Sequence, residues 1–457
     1  MKSITRTLAT LLALGPLAAA QAAPTTILFV GNSYTFGRVD PVLTYNAANV
    51  RDLTQPQGAL HGGTDPALPF VSGAPFTNLT GTNSYPVGII NPATGAEFTS
   101  YSPHSQAVAW GGVPGIFKQF TVQAGLDYEV SLSTRNAASL RGHFLNTANS
   151  NWDLRGNIGS QRWDQVVLQE QSDEALAPRT VIDPATGNPV ALSSNFPSFQ
   201  AYADLIEDWI HQGTALSYRE RALYNAIHGS QANCVAAGGT ASSCNNNTLR
   251  TIEANTNANA AAQIFLMQPW ARPDLVNPPG TNTIDPRTGD AIYDTNSAAP
   301  SFYATLAAMT EDNTTQYRRA MDFAASDGTG GFAGLAPVGQ AFMRAIADGV
   351  ATADMYAPDA ASDGLLDLWF NDGTHASVHG SYLSALTLFG RVTGVNPFSL
   401  GAGEIAAREL GISARDAVAL QRIAALELGF AVPAPGTAAL ALGALALIGA
   451  LRVRRRT

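Results

Sequence analysis

A serine closes an apolar run near the start of the chain, Ile27-Leu28-Phe29-Val30-Gly31-Asn32-Ser33, and Asp372-Gly373-Thr374-His375 stands near the other end. A serine hydroxyl becomes a useful nucleophile when a base takes its proton, and an imidazole oriented by a carboxylate does this near neutral pH. Ser33, His375 and Asp372 therefore offer the nucleophile, the general base and the orienting acid of acyl transfer. Ser33 alone also reads as a helix cap, a position that Ser and Asn both favour. His379 follows His375 by one helical turn, so Asp372, His375 and His379 have a spacing that a metal could use. Ala376 stands where a His-Glu-x-x-His zinc site carries its glutamate, and the expectation is chemistry without metal or other cofactor.

Residues so far apart meet only if the fold gathers them. A parallel α/β sheet does so, because the carboxyl ends of its strands share one edge. Four short apolar runs predict buried strands over residues 26–31, 128–133, 165–169 and 263–267. The stretches between them are long enough for helices, which predicts βαβ units. Helices are expected over residues 114–124, 199–212, 302–325, 337–348 and 379–392. Residues 46–113 and 273–300 are rich in Gly, Pro, Thr and Asn and carry little periodicity, so they are expected as long loops over the active edge. Residues 397–431 read as further amphipathic helices, either a cap on the domain or a spacer behind it.

Around these motifs the sequence resembles the SGNH (GDSL-like) hydrolases. Gly31-Asn32-Ser33-Tyr34-Thr35 is similar to their first block and Asp372-Gly373-Thr374-His375 to their last, with Trp163-Asp164-Gln165-Val166-Val167-Leu168-Gln169-Glu170-Gln171-Ser172 between. The resemblance spans residues 26–392 and implies a three-layer α/β/α, flavodoxin-like parallel sheet with long loop insertions. It also implies an esterase whose triad is Ser33, Asp372 and His375. The family's oxyanion hole combines the backbone N–H of the nucleophile, a glycine N–H in the second block and an asparagine side chain in the third. Here Ala137 or Ala138 stands for the glycine, Ala138 being the expected donor, and Gln171 stands for the asparagine, with Gln169 as the fallback. An amide one methylene longer still donates to an oxyanion. His104, His143 and the segment Gln268-Pro269-Trp270-Ala271-Arg272 are further candidates to line the cleft.

The ends of the chain speak of location. Residues 1–23 join Lys2 and Arg6 to an apolar run and Ala20-Gln21-Ala22, the order of a signal peptide. Residues 432–457 place Val432-Pro433-Ala434-Pro435 before an apolar stretch from Ala438 to Ala450 and Arg452, Arg454, Arg455 and Arg456. This order resembles the PEP-CTERM sorting signal of Gram-negative bacteria, although Ala434 replaces its usual glutamate. It implies a transient membrane anchor processed by exosortase-type machinery and a periplasmic, cell-surface or secreted product. Residues 24–396 are then the hydrolase-like domain.

With 46% hydrophobic and 13% charged residues the chain can bury a large core, so disorder throughout is excluded. Removing both ends takes away basic residues only and moves the net charge from −9 to −15, which argues against a nucleic-acid partner. Cys234 and Cys244 are the only cysteines and are expected to pair as a local disulfide. The expected activity is hydrolysis of a small ester or an acylated carbohydrate, such as an acetylated exopolysaccharide. The alternative is a carbohydrate-binding or surface-matrix protein of the same fold with little turnover.

Overall fold

The computed structural model describes residues 23–39, 41–53, 110–146, 153–284 and 291–433. The signal-peptide and sorting-signal readings fall almost wholly outside these residues, as do His104 and most of the first long loop. Among the described residues no helix is long and apolar enough to cross a membrane.

Six strands form one parallel sheet: β1 (Thr25–Gly31), β2 (Val50–Asp52), β3 (Tyr128–Thr134), β4 (Gln165–Leu168), β5 (Gln263–Gln268) and β6 (Gly334–Pro337). Their order is β6-β5-β4-β1-β3-β2, so β1 lies inside the sheet, paired with β3 on one side and β4 on the other. Without the short edge strand β2 this is the flavodoxin-like order. Each inner strand is apolar on both faces because helices cover both. Ile27 and Phe29 join one core cluster, whereas Leu28 and Val30 join the other. Full burial of each such side chain stabilises by about 1.5–3 kcal/mol, so a register slip of one residue would misplace the whole strand.

On the Ile27 face lie α2 (Gly112–Gln123), α6 (Val338–Ala347) and α7 (Val378–Thr393), and on the Leu28 face α3 (Leu140–Leu145) and α4 (Phe196–His211). The helix α5 (Leu306–Ala324) adds Tyr317 and Ala320 to the second cluster. A four-residue helix, α1 (Ser33–Phe36), follows β1 directly. This is a three-layer α/β/α fold around a parallel sheet.

Two features depart from a simple reading of strands and tails. The edge strands β2 and β6 were not among the expected strands; β2 has three residues and β6 runs Gly-Leu-Ala-Pro, a composition tolerated at sheet edges. The C-terminal helices α8 (Ile405–Glu409) and α9 (Ala414–Glu427) cap the domain. Ala407, Leu420, Ile423 and Ala424 are buried in the same cluster as Phe389 of α7.

Cys234 and Cys244 form a disulfide, both fully buried. A Cβ on Gly239 would come 2.4 Å from Cys244 Sγ, so only glycine fits inside that loop.

Candidate active site

The sharp turn after β1 presents Ser33. Asn32 caps α1, its side-chain oxygen accepting the Tyr34 N–H at 3.1 Å, so the cap reading belongs to Asn32 and leaves the Ser33 hydroxyl free for another partner. That partner is His375, whose Nε2 lies 2.8 Å from Ser33 Oγ. His375 Nδ1 in turn lies 2.6 Å from Asp372 Oδ2. The other carboxylate oxygen, Oδ1, accepts the backbone N–H groups of Thr374 (2.9 Å) and His375 (2.8 Å). Both Asp372 oxygens are therefore committed, and the imidazole has one orientation.

Burial alone would raise the Asp372 pKa, but the His375 charge and the hydrogen bonds to the carboxylate outweigh it and hold the group at about 2. Asp372 is thus ionised at any pH near neutrality. It holds the Nδ1 proton and leaves Nε2 as the acceptor facing Ser33.

Four neighbours hold this arrangement. Gln169, fully buried at the end of β4, accepts the Asn32 N–H and the Thr35 hydroxyl on Oε1, both at 3.0 Å. A Cβ on Gly31 would meet that same oxygen at 2.5 Å, so glycine before Asn32 lets the two strands close. His143, also fully buried, donates from Nε2 to the Gly31 carbonyl at 2.8 Å, and burial lowers its pKa to about 4. Under the histidine loop, Trp270 donates its indole N–H to the Thr374 carbonyl at 2.9 Å and stacks on Tyr34 with ring centres 4.2 Å apart. The loop after β5 and the ribbon at residue 293 also reach this edge, where Tyr293 donates to the Asp372 carbonyl at 3.1 Å.

The cleft over Ser33 has a volume of about 180 Å³ and is walled by Asn136, Ala137, Gln171, Ser172, Arg272 and His375 among others. Gln171 uses Oε1 to accept the N–H groups of Asp173 (3.1 Å) and Glu174 (3.0 Å). Among the described residues its amide nitrogen makes one long hydrogen bond, to Ser172 Oγ at 3.5 Å. Arg272 is fixed by Asp274, with Nη2 2.6 Å from Oδ2, and by Ser172, with Nη1 3.0 Å from Oγ.

Several expected roles move. Ala138 does not offer its N–H to the cleft, because it donates to the Arg135 carbonyl at 3.1 Å. Ala137 lines the cleft in its place, at a φ of 54° where a glycine would be at ease. Gln169 serves the nucleophile turn and is not a cleft donor. His143 lies beneath β1 and Trp270 is 1% exposed, so both support the cleft without lining it. Of the Gln268–Arg272 segment, Arg272 alone reaches the cavity wall. His379 sits in the first turn of α7, and among the described residues its ring does not gather with Asp372 and His375 at metal-ligand distances. Gln169 and Arg272 were both marked by sequence, Gln169 through the stretch 163–172 and Arg272 through the segment 268–272, but the support that Gln169 gives the nucleophile turn was not expected.

No family model matches the chain, and no curated protein matches it. Among solved structures it is similar to a DUF4886 family protein from Bacteroides uniformis ATCC 8492, at 12% identity, covering 88% of this chain and 94% of that chain with a TM-score of 0.37. It is also similar to a candidate SGNH hydrolase from Slackia heliotrinireducens, at 14% identity, covering 81% of this chain and 100% of that chain with a TM-score of 0.30.

Proposed function

We propose that the protein is a serine ester hydrolase that works through an acyl-enzyme on Ser33. The observation that carries this reading is the unbroken line from Ser33 Oγ through His375 to Asp372, at 2.8 and 2.6 Å. Ser33 Oγ attacks the ester carbonyl while His375 Nε2 takes its proton. The imidazolium so formed is stabilised by Asp372, and it returns the proton to the departing alkoxide. Water, activated by the same imidazole, then hydrolyses the acyl-enzyme and restores Ser33.

The tetrahedral oxygen carries the developing charge, and two donors are assigned to it: the Ser33 N–H, the first amide of α1, and the Gln171 amide nitrogen. The Ala137 turn forms the facing wall. A cleft of about 180 Å³ suits a short acyl group better than a lipid chain. That size, with the resemblance of the chain's end to a sorting signal, supports an exported enzyme that removes small acyl groups, such as acetyl, from carbohydrate.

The test is a fluorophosphonate serine probe together with a panel of acetyl and longer aryl esters. Ser33→Ala should lose labelling and about 10⁴-fold or more of the turnover. Equal labelling of wild type and Ser33→Ala would sink the mechanism. Retention of polysaccharide by a wild type that hydrolyses no ester would favour the surface-matrix alternative.

A further inference from the structure

Outside the cleft, Asp204 and Asp208 stand one turn apart on α4, and Asp327, in the loop after α5, comes up to them. One carboxylate oxygen from each lies within 4.8 Å of the other two. Such clusters are common on protein surfaces, but this one reaches inward. Asp204 is 8% exposed, and its Oδ1 is buried with no hydrogen-bond partner among the described residues. Asp208 Oδ1 is likewise buried and unpartnered. A buried carboxylate oxygen without a donor is expensive, and the charged groups acting on Asp204 make matters worse, since Asp208, Asp327 and Glu207 all share its sign.

The nearby imidazole does not relieve this. His211 is committed through Nδ1 to Glu207 and through Nε2 to the Ala262 carbonyl at 2.9 Å. The same Glu207 accepts the Gly331 N–H at 2.9 Å, which fastens the loop that carries Asp327 against α4. Asp327 Oδ1 accepts the Thr329 N–H at 2.9 Å and the Thr329 hydroxyl at 2.6 Å, so the loop itself sets that carboxylate in place.

We propose that Asp204, Asp208 and Asp327 bind one divalent cation, calcium by the chemistry of the donors. All three donors are hard oxygens, which suits calcium or magnesium over zinc. Three carboxylates gathered at one point suit calcium, which takes about 6–8 oxygen ligands, better than magnesium, which keeps several waters and is bound through one or two carboxylates. The bound cation joins α4 to the loop before β6 and neutralises the buried charge. Its role is structural, and it does not depend on what Ser33 does.

The test is calorimetric titration of the chelator-treated full chain with CaCl₂ at pH 8, alongside thermal unfolding with and without calcium. The wild type should bind one equivalent and melt several degrees higher. Asp204→Asn should lose both responses. Because a buried substitution can disturb folding, Asp327→Asn, in an exposed loop, is the second variant, and it should fold normally yet bind roughly tenfold or more weakly. No heat and no thermal shift in the wild type would overturn the proposal, and so would wild-type affinity in Asp327→Asn.

Discussion

On the histidine side of the cleft, each link from Ser33 through His375 and Asp372 to the backbone of Thr374 and His375 measures 2.6–2.9 Å. On the oxyanion side, the Gln171 nitrogen makes a long hydrogen bond of 3.5 Å to Ser172 Oγ, and Ala137 stands in a backbone conformation that favours glycine. The contrast separates two demands of acyl transfer. Proton transfer needs a fixed line of atoms, whereas charge stabilisation needs donors held ready for the oxyanion, and Gln171 is held through its Oε1 with its nitrogen only weakly engaged. The relay is saturated with protein partners, and the oxyanion wall keeps donor capacity for substrate.

Asp372→Asn strikes the rigid side. It removes the charge that holds the Nδ1 proton, and kcat should fall about 10⁴-fold in steady-state ester hydrolysis. The same variant sharpens a pH argument. The Asp372 pKa is lower in the folded chain than the ordinary value, so its contribution to stability is complete above about pH 4 and is lost as pH falls through about 2. Urea midpoints of wild type and Asp372→Asn should therefore differ at pH 7 and converge between about pH 4 and pH 2.

Gln171→Ala strikes the oxyanion side and should lower kcat by about 10²–10³ with KM little changed, a loss of about 2.7–4 kcal/mol in transition-state stabilisation. A loss as deep as that of Asp372→Asn would erase the contrast between the two sides. The smallest effect belongs to Ala137→Gly. Relief of the left-handed alanine, offset by the greater freedom of glycine when unfolded, should raise stability by up to about 1 kcal/mol in thermal unfolding. Turnover should change less than about threefold, since the turn keeps its backbone.

The inner strands were legible because they are buried on both faces, so 26–31, 128–133, 165–169 and 263–267 stood out as apolar runs and match β1, β3, β4 and β5 to within a residue or two at their ends. The edge strands were not, since Gly334 and Pro337 belong to a sheet margin that apolarity does not mark. Ser33, Asp372 and His375 lie within short motifs, and local spacing was enough to single them out. The cleft walls come from loops whose register only the folded backbone sets. A positive φ at Ala137 leaves no trace in the residue type, so the sequence did not tell which of Ala137 and Ala138 faces the cleft. Nor did the sequence hint that His143 would be walled in beneath β1, because a histidine in a loop and one under a strand look alike in one dimension.

The Ser33–His375 bond spans 342 positions of chain, and α9, still further along, packs into the core shared with α7. During synthesis the nucleophile strand emerges first, yet its base comes only with residue 375 and the last layer of the core only with residue 427. Contacts of such long range fold slowly and leave apolar surface uncovered while they wait. A chain stopped before α9 would therefore be silent as a catalyst and prone to aggregate, so activity would double as proof of a finished chain.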